Sequence, residues 1–350
     1  MEQLIDQFGE PTLLMISGAL VGLLFGAAAY HSRFCLRAAT VEVAERTLGP
    51  KLAIWLIAFC TGLALVQLSI LTGHLDVSMA RQIAGTGSLS GAIIGGLMFG
   101  IGMILARGCA SRLLVLSASG NLRAIVTGLV LTLTAQASYR GVLAPLRERL
   151  ASLWTIPGGS ERMLFDTSVM VGAVGVLGFV AAVSYGISRN LRWSELVSAA
   201  LVGVAVFAGW SVTNAIASAS FDVVQVQSVT FTGPSADTLM ALVNERNLPL
   251  SFGVGLVPGV FLGALTLALL RGEARIQRFE PNTPMERYLI GGVLMGFGSM
   301  LAGGCAVGAG LSGGAILALT AWVAVFCMWV GAVATHILLQ MRGDRMSATA

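Results

Sequence analysis

The chain has 350 residues, of which 56% are hydrophobic and only 11% are charged, whereas a typical soluble domain carries about 25% charged residues. This composition excludes an ordinary soluble protein. The net charge of +4 comes with arginines scattered over short loops, so we expect no binding to nucleic acid. The five cysteines lie within or beside apolar runs and do not form the disulfide framework of a secreted domain.

Uncharged runs long enough to cross a bilayer core, which needs about 20 residues, recur along the whole chain. In chain order they are 11–30, 52–72, 82–106, 167–188, 196–221, 247–270 and 288–335. Glycine, at 44 residues, is as frequent as in packed membrane helices, where small residues let backbones approach closely. The sequence therefore predicts an all-α polytopic membrane protein embedded in a lipid bilayer.

The first span leads into a polar stretch that carries a thiol. Glycines recur four residues apart on one face of this span, at Gly18, Gly22 and Gly26, which is typical of close helix packing. Cys35 follows, with Arg33 two residues before it. The spacing from these glycines to Cys35 is repeated further along the chain, where Gly96 and Gly100 precede Cys109.

One segment of the sequence occurs twice, and each copy carries a cysteine. Residues 94–110 read IGGLMFGIGMILARGCA and residues 290–306 read IGGVLMGFGSMLAGGCA, with the same residue type at ten of the seventeen positions. The copies place Cys109 and Cys305 at corresponding positions. We therefore take the duplicated segment as the functional centre, with the first span as a weaker third copy.

Positively charged loops predict the orientation of the spans. The arginine-bearing stretches 189–192 and 271–287 are assigned to the cytoplasm and the polar loop 222–247 to the outside, so the second copy enters the membrane from the cytoplasm. The acidic N-terminus is assigned to the outside, and the first copy then enters from there. The copies run in opposite directions, which predicts an inverted-topology repeat.

The loop 140–166 is the natural joint between the halves, which we place at 1–165 and 166–350. In this assignment the loop lies outside, although it holds four arginines. This is the one point at which the charges disagree with the predicted orientation.

Each copy is predicted to be a broken or re-entrant helix that opens at Gly108 or Gly304 and continues as a short second helix. Irregular backbone at membrane depth is tolerated where it lines a cavity or is buried in protein. The N-terminus of the second helix favours an anion through its free N–H groups and its dipole. We expect the thiols of Cys109 and Cys305 to meet near the middle of the membrane, with Cys35 nearer the cytoplasm.

A neutral thiol is a weak hydrogen-bond donor, so it passes a polarizable sulfur-bearing anion onward without trapping it. Arginines stand beside two of the thiols, where they either steer anions or anchor a helix end. The predicted substrate path is Cys35, Cys109, Cys305, Gly108, Gly304, Arg33 and Arg107. Cys60 and Cys327 lie in featureless apolar runs and are expected to serve packing alone.

Three stretches resemble the YeeE/YedE family of bacterial inner-membrane proteins: RFC at 33–35, LARGCAS at 105–111 and LAGGCAVGAGLSGG at 301–314. The resemblance covers essentially the whole chain. It implies an hourglass of helices that imports thiosulfate past central cysteines, which here are Cys35, Cys109 and Cys305. The arginines Arg107 and Arg112, which flank one copy only, depart from that symmetry and leave the substrate open among thiosulfate, sulfite, sulfide and selenium analogues.

The sequence has no GxxxxGK[ST] phosphate loop and no mid-span carboxylate. The sequence therefore shows no element for energy coupling. We also expect no cofactor, no bound metal and no catalytic residue. Import would follow the gradient of the substrate, and a cytoplasmic sulfur-carrier protein of the TusA type would remove the imported sulfur.

Three other interpretations stay open. A membrane sulfurtransferase would attack the outer sulfur of the substrate with one cysteine and keep it as a persulfide. Copper(I) transport is suggested by methionines near the cysteines, but no CxxC or His-rich tract supports it. A purely structural membrane protein would not explain why the copied segment keeps its cysteine.

Overall fold

The computed structural model describes residues 2–165, 169–220, 222–244, 246, 249–279 and 285–348. The helices are α1 (Glu2–Phe8), α2 (Glu10–Ser32), α3 (Leu36–Ala44), α4 (Pro50–Leu71), α5 (Arg81–Ala84), α6 (Leu89–Leu105), α7 (Ala110–Ala118), α8 (Leu122–Arg140), α9 (Ala144–Ser152), α10 (Val169–Ser188), α11 (Trp193–Ala219), α12 (Thr232–Asn244), α13 (Phe252–Leu270), α14 (Met285–Ala302) and α15 (Leu319–Ala348). A 3-10 turn at Ser160–Arg162, a π-helix at Gly308–Gly313 and an antiparallel pair of two-residue strands, β1 (Gly87–Ser88) and β2 (Thr155–Ile156), complete the described elements.

The described part of the chain has seven helical segments long and apolar enough to cross a membrane. Local sequence sets several boundaries of these helices. The side chains of Ser88, Asn121 and Ser251 accept hydrogen bonds from backbone N–H groups in the first turns of α6, α8 and α13, donors that a helix start otherwise leaves free. Pro50 starts α4, where its missing N–H has no consequence. The predicted all-α polytopic architecture is confirmed.

Two stretches that we predicted as loops contain helices. The stretch 222–247 holds α12, which has 13 residues, and the stretch 140–166 holds α9, which has 9 residues. Both helices are shorter than a membrane span, so a search for uncharged runs of about 20 residues does not detect them.

The two copies of the duplicated segment form α6 and α14, which pack against each other antiparallel. Gly95 lies against Gly298, and Gly102 lies against Gly291. A Cβ atom built on Gly95 would lie 2.4 Å from the carbonyl oxygen of Gly298, and one built on Gly298 would lie 2.7 Å from that of Gly95. Because each backbone occupies the space of the other's missing Cβ, glycine is what permits this close approach.

The contacts of the other helices also form corresponding pairs: a contact near α6 has a counterpart near α14. α2 packs on α13 as α11 packs on α4, and α3 packs on α15 as α12 packs on α8. Gly96 and Gly100 of α6 face α15, while the corresponding Gly292 and Gly296 of α14 face α8. α10 packs on α4 outside this scheme. The pairing relates the segment from α2 to α8 with the segment from α11 to α15.

The connecting segments gather at two ends of the molecule. At one end the N–H of Gln277, in the stretch 271–287 that we assigned to the cytoplasm, donates to the carbonyl of Gly120 at 2.9 Å. At the other end the guanidinium of Arg162, in the loop 140–166 that we assigned to the outside, donates to the carbonyl of Gly85 at 2.7 Å. We call these the inner end and the outer end, after their predicted sides.

Candidate functional site

Three helix breaks of one geometry precede the three cysteines of the predicted path. The residue two positions before each thiol has a left-handed backbone, with φ of 53° at Arg33, 53° at Arg107 and 78° at Gly303. The following N–H groups bond back over five residues, from Phe34 to Ala29 at 3.1 Å, from Gly108 to Met103 at 3.2 Å and from Gly304 to Ser299 at 2.9 Å. A left-handed residue closes a helix C-terminus in this way. The weak third copy therefore shares the local geometry of the other two.

Each cysteine then stands at the start of a new helical stretch. Cys35 precedes α3 and Cys109 precedes α7, both with extended backbone. Cys305 precedes a helical stretch at 306–315 that contains the π-helix, and its sulfur accepts a hydrogen bond from the N–H of Gly308 at 3.4 Å. Free N–H groups and the helix dipole favour negative charge at such positions.

The three cysteines of the predicted path are buried, but burial does not distinguish them from Cys327, which is buried as well, whereas Cys60 is partly exposed. The exposed fractions of Cys35, Cys109 and Cys305 are 8%, 1% and 1%. Cys60 and Cys327 lie inside α4 and α15, where they pack against Gly178 and Gly96 of neighbouring helices. This placement agrees with the expectation that these two fill helix interfaces. The distinguishing feature of the path cysteines is the helix break, not burial.

The thiols have partners that we did not predict. The Cys109 thiol lies close enough to the Cys35 thiol for the two to act on each other electrostatically, and it lies 3.3 Å from the hydroxyl of Ser111. We call Cys35 and Cys109 the inner thiol pair. The sulfur of Cys305 instead lies 3.9 Å from the hydroxyl of Thr230.

The expectation that the Cys109 and Cys305 thiols meet at mid-membrane is wrong, because α6 and α14 overlap along their full lengths. Gly91 of α6 lies against Leu301, and Gly102 lies against Gly291. The two helix ends that lead to the thiols are therefore at opposite ends of the helix pair, about 21 Å apart along α6 from Gly91 to Leu105 at a rise of 1.5 Å per residue. A direct transfer between these two thiols is excluded.

Arginines surround the inner thiol pair. Arg37 and Arg112 lie close enough to act electrostatically on the thiol of Cys35, and Arg107 acts in turn on Arg37. The side chain of Arg33 is exposed. It lines a cavity of about 510 Å³ at the inner end, and the thiols do not line that cavity. The two predicted path arginines are both exposed and both supply a backbone turn. They differ in that Arg107 acts on Arg37 beside the thiols, whereas Arg33 lines the cavity at the inner end.

Cys305 forms part of the wall of a polar cavity of about 280 Å³ at the outer end. Polar side chains of this wall come from α5, α12 and the extended segment before α12, and include Arg81, Gln82, Gln225, Gln227, Thr230, Thr232 and Asp237. An adjoining cavity of about 320 Å³ shares Arg81 and Gln82 and adds Arg147 and Arg162. We call the two together the outer cavity.

Positive charge predominates in the outer cavity. Arg162 is only 7% exposed and donates to the carbonyl of Gly85; within the described residues it has no carboxylate partner. Burial and the charge of Arg81 lower the pKa of Arg162. Asp237 is the carboxylate in the wall; burial raises its pKa, while the charges of Arg140 and Arg81 act in the opposite direction. The cavity suits a small anion.

The two glycines of the predicted path differ in how tightly they are enclosed. A Cβ atom on Gly304 would lie 3.0 Å from the backbone nitrogen of Ala309, and Gly304 lines the outer cavity. A Cβ atom on Gly108 would make only an ordinary contact, 3.5 Å from Leu113. Close packing therefore requires glycine at 304 and not at 108.

Three buried phenylalanines connect the outer site with the inner one. Phe34 and Phe231 are the sequence neighbours of Cys35 and Thr230. The ring centroid of Phe25 lies 6.4 Å from that of Phe34 and 5.1 Å from that of Phe231, and each of the three residues is at most 2% exposed. We call Phe25, Phe34 and Phe231 the aromatic cluster. Through its ring contacts the cluster links the neighbour of Cys35 to the neighbour of Thr230.

Residues 31–334 match the family model described as sulphur transport. This chain belongs to the sulphur-transport family. The resemblance to YeeE/YedE proteins is thereby confirmed, and with the spanning helices it makes the chain a multi-pass protein of the bacterial inner membrane.

Two curated relatives are similar over most of their length. The thiosulfate transporter TsuA of Escherichia coli (strain K12) is 27% identical, covering 96% of this chain and 98% of the relative. The thiosulfate transporter TsuA of Spirochaeta thermophila is 28% identical, covering 88% of this chain and 94% of the relative.

For this member of the sulphur-transport family, sequence reasoning missed the wall of the outer cavity. Arg81, Thr230 and Asp237 were all assigned to loops. A signal was present in the segment 225–231, which reads QVQSVTF and alternates polar with apolar residues at its start. Such alternation is typical of extended chain with one polar side, and here that side faces the cavity of Cys305.

Proposed function

We propose that this chain imports thiosulfate across the inner membrane, along a path that starts in the outer cavity, passes Cys305 and the aromatic cluster, and ends at the inner thiol pair. The observation that carries the proposal is the recurrence of one helix break, with a thiol at the start of the next helical stretch, at all three cysteines. The names of the two relatives support thiosulfate as the substrate.

We infer that the chain is an inverted-topology repeat with re-entrant segments at its centre. The reciprocal contact of Gly95 with Gly298 and the paired helix contacts support this inference. The proposed boundary between 1–165 and 166–350 puts α10 in the second half, as an addition before the repeated helices. In transporters of this kind the substrate site lies where the two repeats meet, and the contact between α6 and α14 would form that boundary here.

The thiols supply weak donors next to helix N-termini. A thiosulfate dianion at Cys305 would meet an S–H group, the hydroxyl of Thr230 and the positive charge of Arg81. Binding of this strength holds the anion without trapping it. At the inner end Arg37, Arg107 and Arg112 offer the positive charge toward which the anion moves.

The aromatic cluster acts in this proposal as the barrier that keeps other ions out. An apolar constriction resists a hydrated ion because water leaves it readily. Transport then requires the rings of Phe25, Phe34 and Phe231 to separate while thiosulfate passes. On the cytoplasmic side, a sulfur-carrier protein of the TusA type would remove the imported sulfur and maintain the gradient.

Uptake of radiolabelled thiosulfate by cells that lack other importers tests the path. Cys109→Ala and Cys305→Ala should each reduce the initial rate at least about tenfold, equivalent to about 1.4 kcal/mol in the barrier. Cys60→Ala is the matched control, because Cys60 packs in a helix interface, and its rate should stay close to that of the wild type. Undiminished uptake in both path variants, at normal levels of protein in the membrane, would remove the proposed path.

The proximity of the two thiols of the inner pair favours a second candidate, a membrane sulfurtransferase. A thiolate would attack the outer sulfur of thiosulfate, the S–S bond would break, and sulfite would leave with its electron pair, so that a cysteine persulfide remains. Intact-mass measurement of the purified protein after exposure to thiosulfate separates the candidates. One added sulfur atom supports the transferase, and an unchanged mass supports transport of the intact anion.

A further inference from the structure

Asp237 is the carboxylate that faces the proposed entrance of the path. It lies on α12 and lines the same cavity as Cys305 and Arg81. Its side chain is exposed to the cavity, so a bound anion can sense its charge directly. Within the described residues it forms no salt bridge. An unpaired carboxylate in a cavity that is to receive a dianion needs an explanation.

The charged and titratable groups around Asp237 come from several elements. Arg81 of α5 lines the same cavity, with Tyr139 at the end of α8 and Cys305 after α14. Arg140, also at the end of α8, acts on Asp237 electrostatically together with Arg81. The wall residues contributed by α13 and α14 are uncharged, for example Gly253, Ser299 and Met300.

Ionised and neutral Asp237 have opposite effects on an anion in this cavity. The ionised carboxylate repels a dianion and competes with it for the positive field of Arg81. The neutral carboxyl group removes that repulsion and offers an O–H donor in its place. Partial burial by the surrounding protein raises the pKa of Asp237, so its neutral form persists to a higher pH than in a freely exposed carboxyl group.

We propose that Asp237 is a specificity-determining residue that sets the pH dependence of anion entrance: the outer cavity accepts the dianion when Asp237 is protonated and disfavours it when Asp237 is ionised. The proposal rests on the proposed function, because it takes the outer cavity as the start of the path. In this proposal Arg81 attracts the anion at the outer end, and Asp237 opposes that attraction only when it is ionised.

Proteoliposomes with a fixed internal pH test the proposal through the initial rate of thiosulfate uptake as external pH is varied between about 5 and about 8. The wild-type rate should rise as external pH falls. Asp237→Asn should show a flat profile, with a rate at the alkaline end roughly fivefold above the wild type, since one screened charge is removed beside a dianion. Asp237→Glu should keep the pH dependence.

Asp222→Asn is the matched control, because Asp222 precedes the same helix and lines neither part of the outer cavity; its profile should follow the wild type. An Asp237→Asn profile that coincides with the wild type would overturn the proposal. A rate that falls at every pH, with normal protein levels, would also overturn it, because the carboxylate would then be required in its ionised form. Failure of the proposed function is distinct: wild-type protein would take up no thiosulfate at any pH.

Discussion

The close contact between α6 and α14 predicts that one added methyl group has opposite effects at two glycines. Gly95→Ala places a Cβ atom 2.4 Å from the carbonyl oxygen of Gly298 and 2.6 Å from the backbone nitrogen of Ala302. Both neighbours are backbone atoms of a packed helix, so neither can rotate away. Gly128→Ala places the same methyl group on α8 with no atom within 4 Å.

The magnitude follows from two terms. Alanine is favoured over glycine inside a helix by roughly 0.8–1.0 kcal/mol, and this gain applies to both variants. Overpacking a tight interface costs roughly 1–3 kcal/mol, and the upper end applies to Gly95→Ala because α6 and α14 must move apart. We expect a free energy of unfolding lower by about 2 kcal/mol for Gly95→Ala and higher by about 1 kcal/mol for Gly128→Ala.

Thermal unfolding of the purified protein in one detergent measures the difference. At about 2 °C per kcal/mol for a chain of this size, the melting temperatures of the two variants should differ by about 6 °C. Gly291→Ala should behave like Gly95→Ala, because its Cβ atom would lie 2.7 Å from the carbonyl oxygen of Gly102. Equal melting temperatures for Gly95→Ala and Gly128→Ala would refute the packing argument, and unequal effects of Gly95→Ala and Gly291→Ala would count against the inverted repeat.

Two further predictions concern the path. Oxidation of the purified protein with copper phenanthroline should join Cys35 to Cys109, and peptide mass spectrometry that instead finds Cys109 joined to Cys305 would contradict the described pairing. Phe231→Leu should let chloride leak into proteoliposomes at least about tenfold faster, as expected for a barrier lower by about 1.4 kcal/mol, while an unchanged leak would show that the aromatic cluster is not the barrier.

Much of the fold follows from features that act locally along the chain. Uncharged runs located the long helices because a span must be apolar over its whole length. The repeated segment located α6 and α14, and its ten identities include the glycines that make the reciprocal contacts. The breaks before Cys109 and Cys305 were predicted from glycine content. The break before Cys35 was the weakest case, yet it has the same backbone geometry.

The partners of the thiols could not be predicted in the same way. The antiparallel direction of the copies was inferred, but their relative shift along the axis was not. That shift depends on which glycines face each other, and several equally spaced glycines in each copy permit different registers. The observed register puts Gly102 against Gly291 and so moves Cys109 away from Cys305. The outer cavity was missed because α12 and the segment 225–231 are too short and too polar to resemble a span.

The left-handed residues before the thiols show where the two ends of the path differ. The outer break uses Gly303, which adopts a positive φ without cost. The inner breaks use Arg33 and Arg107, and a left-handed backbone costs a residue with a Cβ atom roughly 1–2 kcal/mol. Strain of this size persists where the surrounding structure and the side chain's role maintain it. At Arg107 that role is the positive charge that it adds beside Arg37. The left-handed residue at this inner break therefore carries a charged side chain, whereas Gly303 at the outer break supplies only the turn. In the proposed path the anion would meet fixed positive charge at both ends, from Arg81 and Arg162 at the outer end and from Arg37, Arg107 and Arg112 at the inner end. The direction of net import would then be set by the gradient of the substrate.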